Sequence, residues 1–151
     1  MSVLLVDDRL ENLYALEATL EPLGQRLVRA RSARDMLHAV LHGPFAAIVI
    51  DLRVAARDGY ETLSMMRSRQ LTEHVPIIFL LDYAEQTDAL RCYSAGVVDY
   101  LLKPFDPDAL RTKVSVFVHL RQHELALAAA RKELLATKEQ LRDFLDTRTP
   151  V

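Results

Sequence analysis

The chain has 151 residues, half of them hydrophobic and 26% charged, with a formal net charge of -2. This is an ordinary globular composition, long enough to bury a core without cross-links, and its near-neutral balance gives no electrostatic reason to expect nucleic acid or a membrane as partner. Its one cysteine, Cys92, excludes an internal disulfide and a cysteine-based metal site, and no stretch approaches the roughly 20 apolar residues of a membrane span.

Taken in chain order, Val3-Leu4-Leu5-Val6 predicts a first strand and stops at the acidic pair Asp7-Asp8. The run is too short for a signal peptide, and a single thiol suits a reducing interior, so the expected location is the cytoplasm. Leu10, Leu13, Tyr14, Leu16, Ala18 and Leu20 recur at helical spacing and stop near Pro22 and Gly24. Residues 26–30 alternate and predict a second strand. Ser32 is an N-cap for a helix over 33–41 with Met36, Leu37, Val40 and Leu41 on one face. Ala46-Ala47-Ile48-Val49-Ile50 then runs straight into Asp51. An uninterrupted apolar run of this kind reads as a strand buried on both faces of a parallel sheet.

Residues 53–59 read as a loop, with a helix continuing from Tyr60 through Leu63 and Met66. Pro76 opens a fourth strand over 77–81. A helix over 85–95 with Gly96 as its cap follows, and then a fifth strand over 97–102 that ends at Lys103-Pro104. The last helix begins near Asp106-Pro107, where proline's missing N–H costs nothing. Strand and helix alternate five times, which predicts an α/β fold with a doubly wound parallel sheet. From Asp108 to Arg148 there is neither glycine nor proline. Leu120, Leu127, Leu134 and Leu141 recur every seven residues, with His123, Ala130, Thr137 and Phe144 between them. A domain over 1–120 is therefore expected to carry a helical extension over 121–151. Such a helix cannot hide its leucines alone in water, so pairing in a coiled-coil homodimer is expected.

Three strand ends deliver Asp7, Asp8, Asp51 and Lys103 to the edge where open α/β sheets bind ligands. Clustered carboxylates repel, and a hard divalent cation such as magnesium is the usual remedy. Asp8 and Asp51 could supply two oxygens, Asp7 a third through water, and a backbone carbonyl just after Asp51 another. Asp51 could also act as a nucleophile and form an acyl phosphate, with magnesium and Lys103 neutralising charge.

Four pieces carry a family resemblance: Leu5-Val6-Asp7-Asp8; Ile50-Asp51-Leu52 with Asp58-Gly59; Pro76-Ile77-Ile78-Phe79; and Asp99-Tyr100-Leu101-Leu102-Lys103-Pro104-Phe105. In this order they resemble the receiver domains of two-component response regulators, over about residues 2–120. The resemblance implies a flavodoxin-like sheet of order 2-1-3-4-5. It implies that Asp51 is the phosphoacceptor for a histidine kinase, that Asp7, Asp8, Asp51 and the carbonyl of Arg53 hold magnesium, and that Lys103 pairs with the phosphoryl group. Tyr100 matches the aromatic that swings inward in the active state. The signal is expected to leave through the face of the fourth helix, fifth strand and last helix. From there it passes into the C-terminal helix, which would pair across a dimer or lead into an output domain outside this chain.

The chain departs from the family pattern at Leu81, where a threonine or serine normally supplies a hydroxyl to the phosphoryl group; leucine has no donor. Asp82 follows where a small residue is usual, and Val54-Ala55 replaces Met-Pro. Two readings result: a phosphoacceptor receiver, or a phosphorylation-independent pseudo-receiver that dimerises through its helix. A stand-alone phosphatase is disfavoured, because Arg53 stands where such enzymes carry a second acid, so the chain is not expected to be an enzyme.

Overall fold

A computed structural model describes residues 1–56, 60–68, 74–82, 84 and 99–148. The elements are β1 (Ser2–Val6), α1 (Leu10–Leu20), a 3-10 turn (Glu21–Leu23), β2 (Arg26–Ala30), α2 (Ala33–His42) and β3 (Ala47–Asp51). A short helical turn (Leu52–Val54), α3 (Tyr60–Arg67), β4 (Ile77–Leu81), β5 (Asp99–Leu102) and a C-terminal helix (Pro107–Arg148) follow.

The five strands form one sheet of order β2-β1-β3-β4-β5, with every pair parallel. This is the flavodoxin-like arrangement. Its strand order reverses between β1 and β3, which is where such sheets open a crevice at their carboxyl edge. The register aligns that edge: Val6 is opposite Ile50, Asp51 opposite Leu80 and Leu81 opposite Leu102.

Side chains alternate across the sheet and build two apolar layers. Leu4, Val6, Ile48, Ile50, Phe79 and Leu81 face one layer, which Met36 and Val40 of α2 and Met66 of α3 complete. Val3, Leu5, Val49, Ile78 and Leu80 face the other, with Leu13, Leu16 and Leu20 of α1 and Leu110, Val114 and Val118 of the C-terminal helix. The central strands are apolar without interruption because both of their faces are covered. Each fully buried leucine or isoleucine contributes about 1.5–3 kcal/mol relative to an exposed one.

Three local expectations are corrected. Residues 53–56 are not loop: the Asp51 carboxylate accepts the Arg53 N–H at 2.9 Å and so caps the turn Leu52–Val54, which runs on through Ala55 and Ala56. Tyr14 is exposed rather than core, and the Arg29 guanidinium lies 4.7 Å above its ring. Leu41 is exposed as well, since the buried face of α2 is Ala33, Met36 and Val40. At Gly24 the backbone has φ 69°, the left-handed conformation in which glycine costs least. Asp58-Gly59, the helix expected over 85–95, Gly96 and Cys92 lie outside the described residues, and β5 is described from Asp99.

The chain divides into two compact units, Met1–Val118 and His119–Val151. In the second, Leu127, Leu134, Leu141 and Phe144 are each more than half exposed, as is Leu120. No helix among the described residues is long and apolar enough to cross a membrane.

Candidate functional site

Asp7 follows the last residue of β1, and Asp51 is the last residue of β3. Each is 1% exposed. Burying a carboxylate is costly unless hydrogen bonds replace its water, and both groups are supplied with donors. Asp7 Oδ1 accepts the Arg9 N–H at 2.9 Å, and Asn12 Nδ2 donates to Oδ1 and Oδ2 at 3.3 and 3.2 Å. Asp51 Oδ1 accepts the Arg53 N–H at 2.9 Å and Arg53 Nε at 3.1 Å. Asp51 Oδ2 accepts from Lys103 Nζ.

Lys103 is aimed by the sheet. Its N–H donates to the Leu81 carbonyl at 2.8 Å, extending the β4–β5 ladder by one bond. The Lys103–Pro104 peptide that follows is cis. The Arg53 guanidinium reaches further still. Nη2 lies 3.5 Å from Asp8 Oδ1 and 3.8 Å from Asp7 Oδ1, while Nε holds Asp51. One planar cation thus spans all three carboxylates.

The electrostatics follow from this geometry. Burial pushes the Asp51 carboxyl up, but hydrogen bonds from Lys103 and from the Arg53 N–H and side chain outweigh it and hold the group below the usual carboxylate range. Asp7 moves the other way. Burial raises it and the Asp51 charge adds to that, against the opposing bonds from Arg9 and Asn12. Hydrogen bonding to Asp51, then the charges of Asp51, Asp8 and Asp7, raise Arg53 against the effect of its own burial.

The structure brings Asp7, Asp8, Asp51, Arg53 and Lys103 together. Leu81 ends β4 fully buried in the apolar layer that includes Phe79, Ile50 and the half-buried Leu102. Asp82 is exposed. Tyr100 sits on β5 with about a third of its surface exposed. Beside the carboxylates lies a pocket of about 320 Å³, bounded by Asp7, Asn12, Leu16, Leu80, Lys103 and Phe105.

Sequence reasoning gave Arg53 only a backbone role and passed over Asn12. The signal for Asn12 is its place in the first turn of α1, five residues after Asp7. The signal for the Arg53 side chain is that it lies two residues beyond a strand-end aspartate, within capping reach. Among the described residues no three His, Cys, Asp or Glu side chains are closed up as a metal cage. The carboxylates instead surround the Arg53 guanidinium. Their donors are all oxygens and converge on one cation, which is the chemistry a hard divalent ion requires.

The family description "response regulator receiver domain" matches residues 3–115. The chain belongs to the response regulator receiver family. This receiver is 30% identical over 125 residues to the transcriptional regulatory protein ZraR of Klebsiella oxytoca, a match covering 82% of this chain and 28% of that protein. It is 33% identical over 120 residues to the virulence sensor protein BvgS of Bordetella bronchiseptica, covering 76% and 10%. The chain therefore spans little more than a quarter of the first of these curated relatives. Among solved structures it is similar to the receiver domain of the sensor histidine kinase PA1611 of Pseudomonas aeruginosa, with 31% identity and a TM-score of 0.70. That match covers 78% of this chain and 97% of the other, whose active-site cleft holds a coordinated magnesium ion.

Proposed function

We propose that this receiver accepts a phosphoryl group on Asp51 from a histidine kinase. The observation that carries the reading is the buried Asp51 carboxylate, held ionised at the sheet edge with Lys103 on one oxygen and Arg53 on the other. An ionised carboxylate is the nucleophilic form. In the transfer, an Asp51 oxygen forms a bond to phosphorus as the phosphorus–nitrogen bond to the kinase's imidazole breaks, and the electron pair leaves on that nitrogen. Lys103 Nζ, already on Asp51, then pairs with the charge gathering on the transferred oxygens, a role its contact with Asp51 supports.

Asp8, Asp51, Asp7 and the Arg53 carbonyl are the groups that would hold magnesium, and when bound the ion would neutralise carboxylate and phosphoryl charge. Leu81 offers no hydroxyl to the phosphoryl group, so Lys103 carries more of that pairing in this chain than in the usual pattern. The protein takes the group up as a signal in the cytoplasm rather than turning over a substrate. The domain over 1–120 passes the change to the helix over 121–151, which pairs in a homodimer or links to an output domain.

The alternative is a pseudo-receiver that acts without phosphorylation, favoured by Leu81 and Asp82. A magnesium titration of the unphosphorylated protein, followed by amide NMR, separates the two. Shifts at Asp8, Asp51 and Arg53 at millimolar magnesium, lost in Asp8→Ala, are expected; their absence favours the pseudo-receiver.

A further inference from the structure

From the convergence of Asp7, Asp8 and Asp51 on one guanidinium, we infer that the Arg53 side chain is a built-in counterion that holds the metal's place and sets the affinity for it. The inference rests on the magnesium-supported reading above and goes beyond it, because it gives a role to the Arg53 side chain rather than to its carbonyl.

Arg53 Nε is 3.1 Å from Asp51 Oδ1, and Nη2 is 3.5 and 3.8 Å from Asp8 and Asp7 oxygens. These are the oxygens a divalent ion would need. Both Asp51 oxygens are already engaged, Oδ1 by Arg53 and Oδ2 by Lys103, and Asp51 is 1% exposed. Oδ1 also accepts the Arg53 N–H and so has both lone pairs in use, and an ion reaching that oxygen must displace a cationic side chain. Arg53 is the one that meets all three carboxylates. Its side chain is 30% exposed, so it has a route outward that the buried carboxylates lack. It also sits on the short turn Leu52–Val54, whose cap is the Arg53 N–H bond to Asp51. That backbone bond keeps the residue in place when the guanidinium swings away.

Physically this is a competition. The metal binds only the fraction of molecules in which the guanidinium has left, so the apparent dissociation constant is the intrinsic one divided by that fraction. A guanidinium making charge-assisted bonds in a planar fork is a stronger competitor than an ammonium. Without metal, the same side chain relieves the mutual repulsion of the carboxylates. The receiver is thereby held with its carboxylate charge partly offset, but unloaded, when divalent ion is scarce.

Manganese(II) titration of the full chain, with free ion counted by electron paramagnetic resonance, tests this. Wild type, Arg53→Gln, Arg53→Lys and Arg31→Gln are compared after circular dichroism shows that each is folded. Arg31 is the control cation, since its Nη2 contacts the Asp8 carbonyl rather than the carboxylates. Arg53→Gln should bind manganese on the order of tenfold more tightly than wild type, with Arg53→Lys between them and Arg31→Gln near wild type. The Arg53 Nε–H resonance should shift as metal is added to the wild type. Equal affinities in wild type and Arg53→Gln overturn the counterion role while leaving the metal site standing. Equal tightening in Arg31→Gln also overturns it, because the effect would then be net charge. Binding by none of the four overturns the inference together with the magnesium-supported reading.

Discussion

Asp51 and Asp7 lie at one sheet edge and are pushed in opposite directions. Asp51 is held below its unfolded value, so its ionised form favours folding. That contribution is complete above the unfolded carboxylate value of about 4 and is lost as pH falls below it toward the folded value. In metal-free protein, urea unfolding of wild type should lose more stability between pH 5 and pH 3 than Asp51→Asn does. Equal losses would contradict the ion pairing seen here. Asp7 is raised, so its ionised form opposes folding and costs stability as pH climbs past about 4. Asp7→Asn keeps an oxygen for the Arg9 N–H and removes the charge. It should stabilise metal-free protein at pH 7, and a lower melting temperature would refute this. The four charges Asp7, Asp8, Asp51 and Lys103 were legible in the sequence because each ends an apolar run. The guanidinium of Arg53 was not, since an arginine after a strand end reads as a solvated loop residue until the fold shows three carboxylates around it.

At the scale of elements, β4 decides what can happen at Leu81. Its side chain belongs to the apolar layer with Phe79 and Ile50, while its carbonyl fixes Lys103 through the ladder bond. Restoring the family hydroxyl as Leu81→Thr removes two carbons and adds a polar group to a fully buried place. A cost of about 2 kcal/mol in urea unfolding is expected. A cost below about 0.5 kcal/mol, the usual range for surface changes, would show that the strand end is looser than its burial implies. The described strands were foreseen because continuous apolar runs bounded by charge, proline or glycine have few other readings. The turn Leu52–Val54 was missed because three residues carry no periodicity. It forms because the Asp51 carboxylate caps it, a feature of tertiary position rather than of local pattern.

Across the whole molecule, alternation of strand and helix gave the fold class, but the order β2-β1-β3-β4-β5 came from the family resemblance, since periodicity does not rank strands. The second unit, His119–Val151, leaves its heptad leucines in water. Ending the chain after His123 should convert a dimer into a monomer by light scattering, and an unchanged mass in solution would contradict pairing through this helix. Phosphoryl acceptance at Asp51 is read by intact mass spectrometry. The full chain is incubated with magnesium and a small phosphoryl donor, beside Asp51→Ala. Wild type should gain one phosphoryl group and the variant none. A gain in both, or no gain in wild type even with saturating magnesium and donor, would contradict acceptance at Asp51.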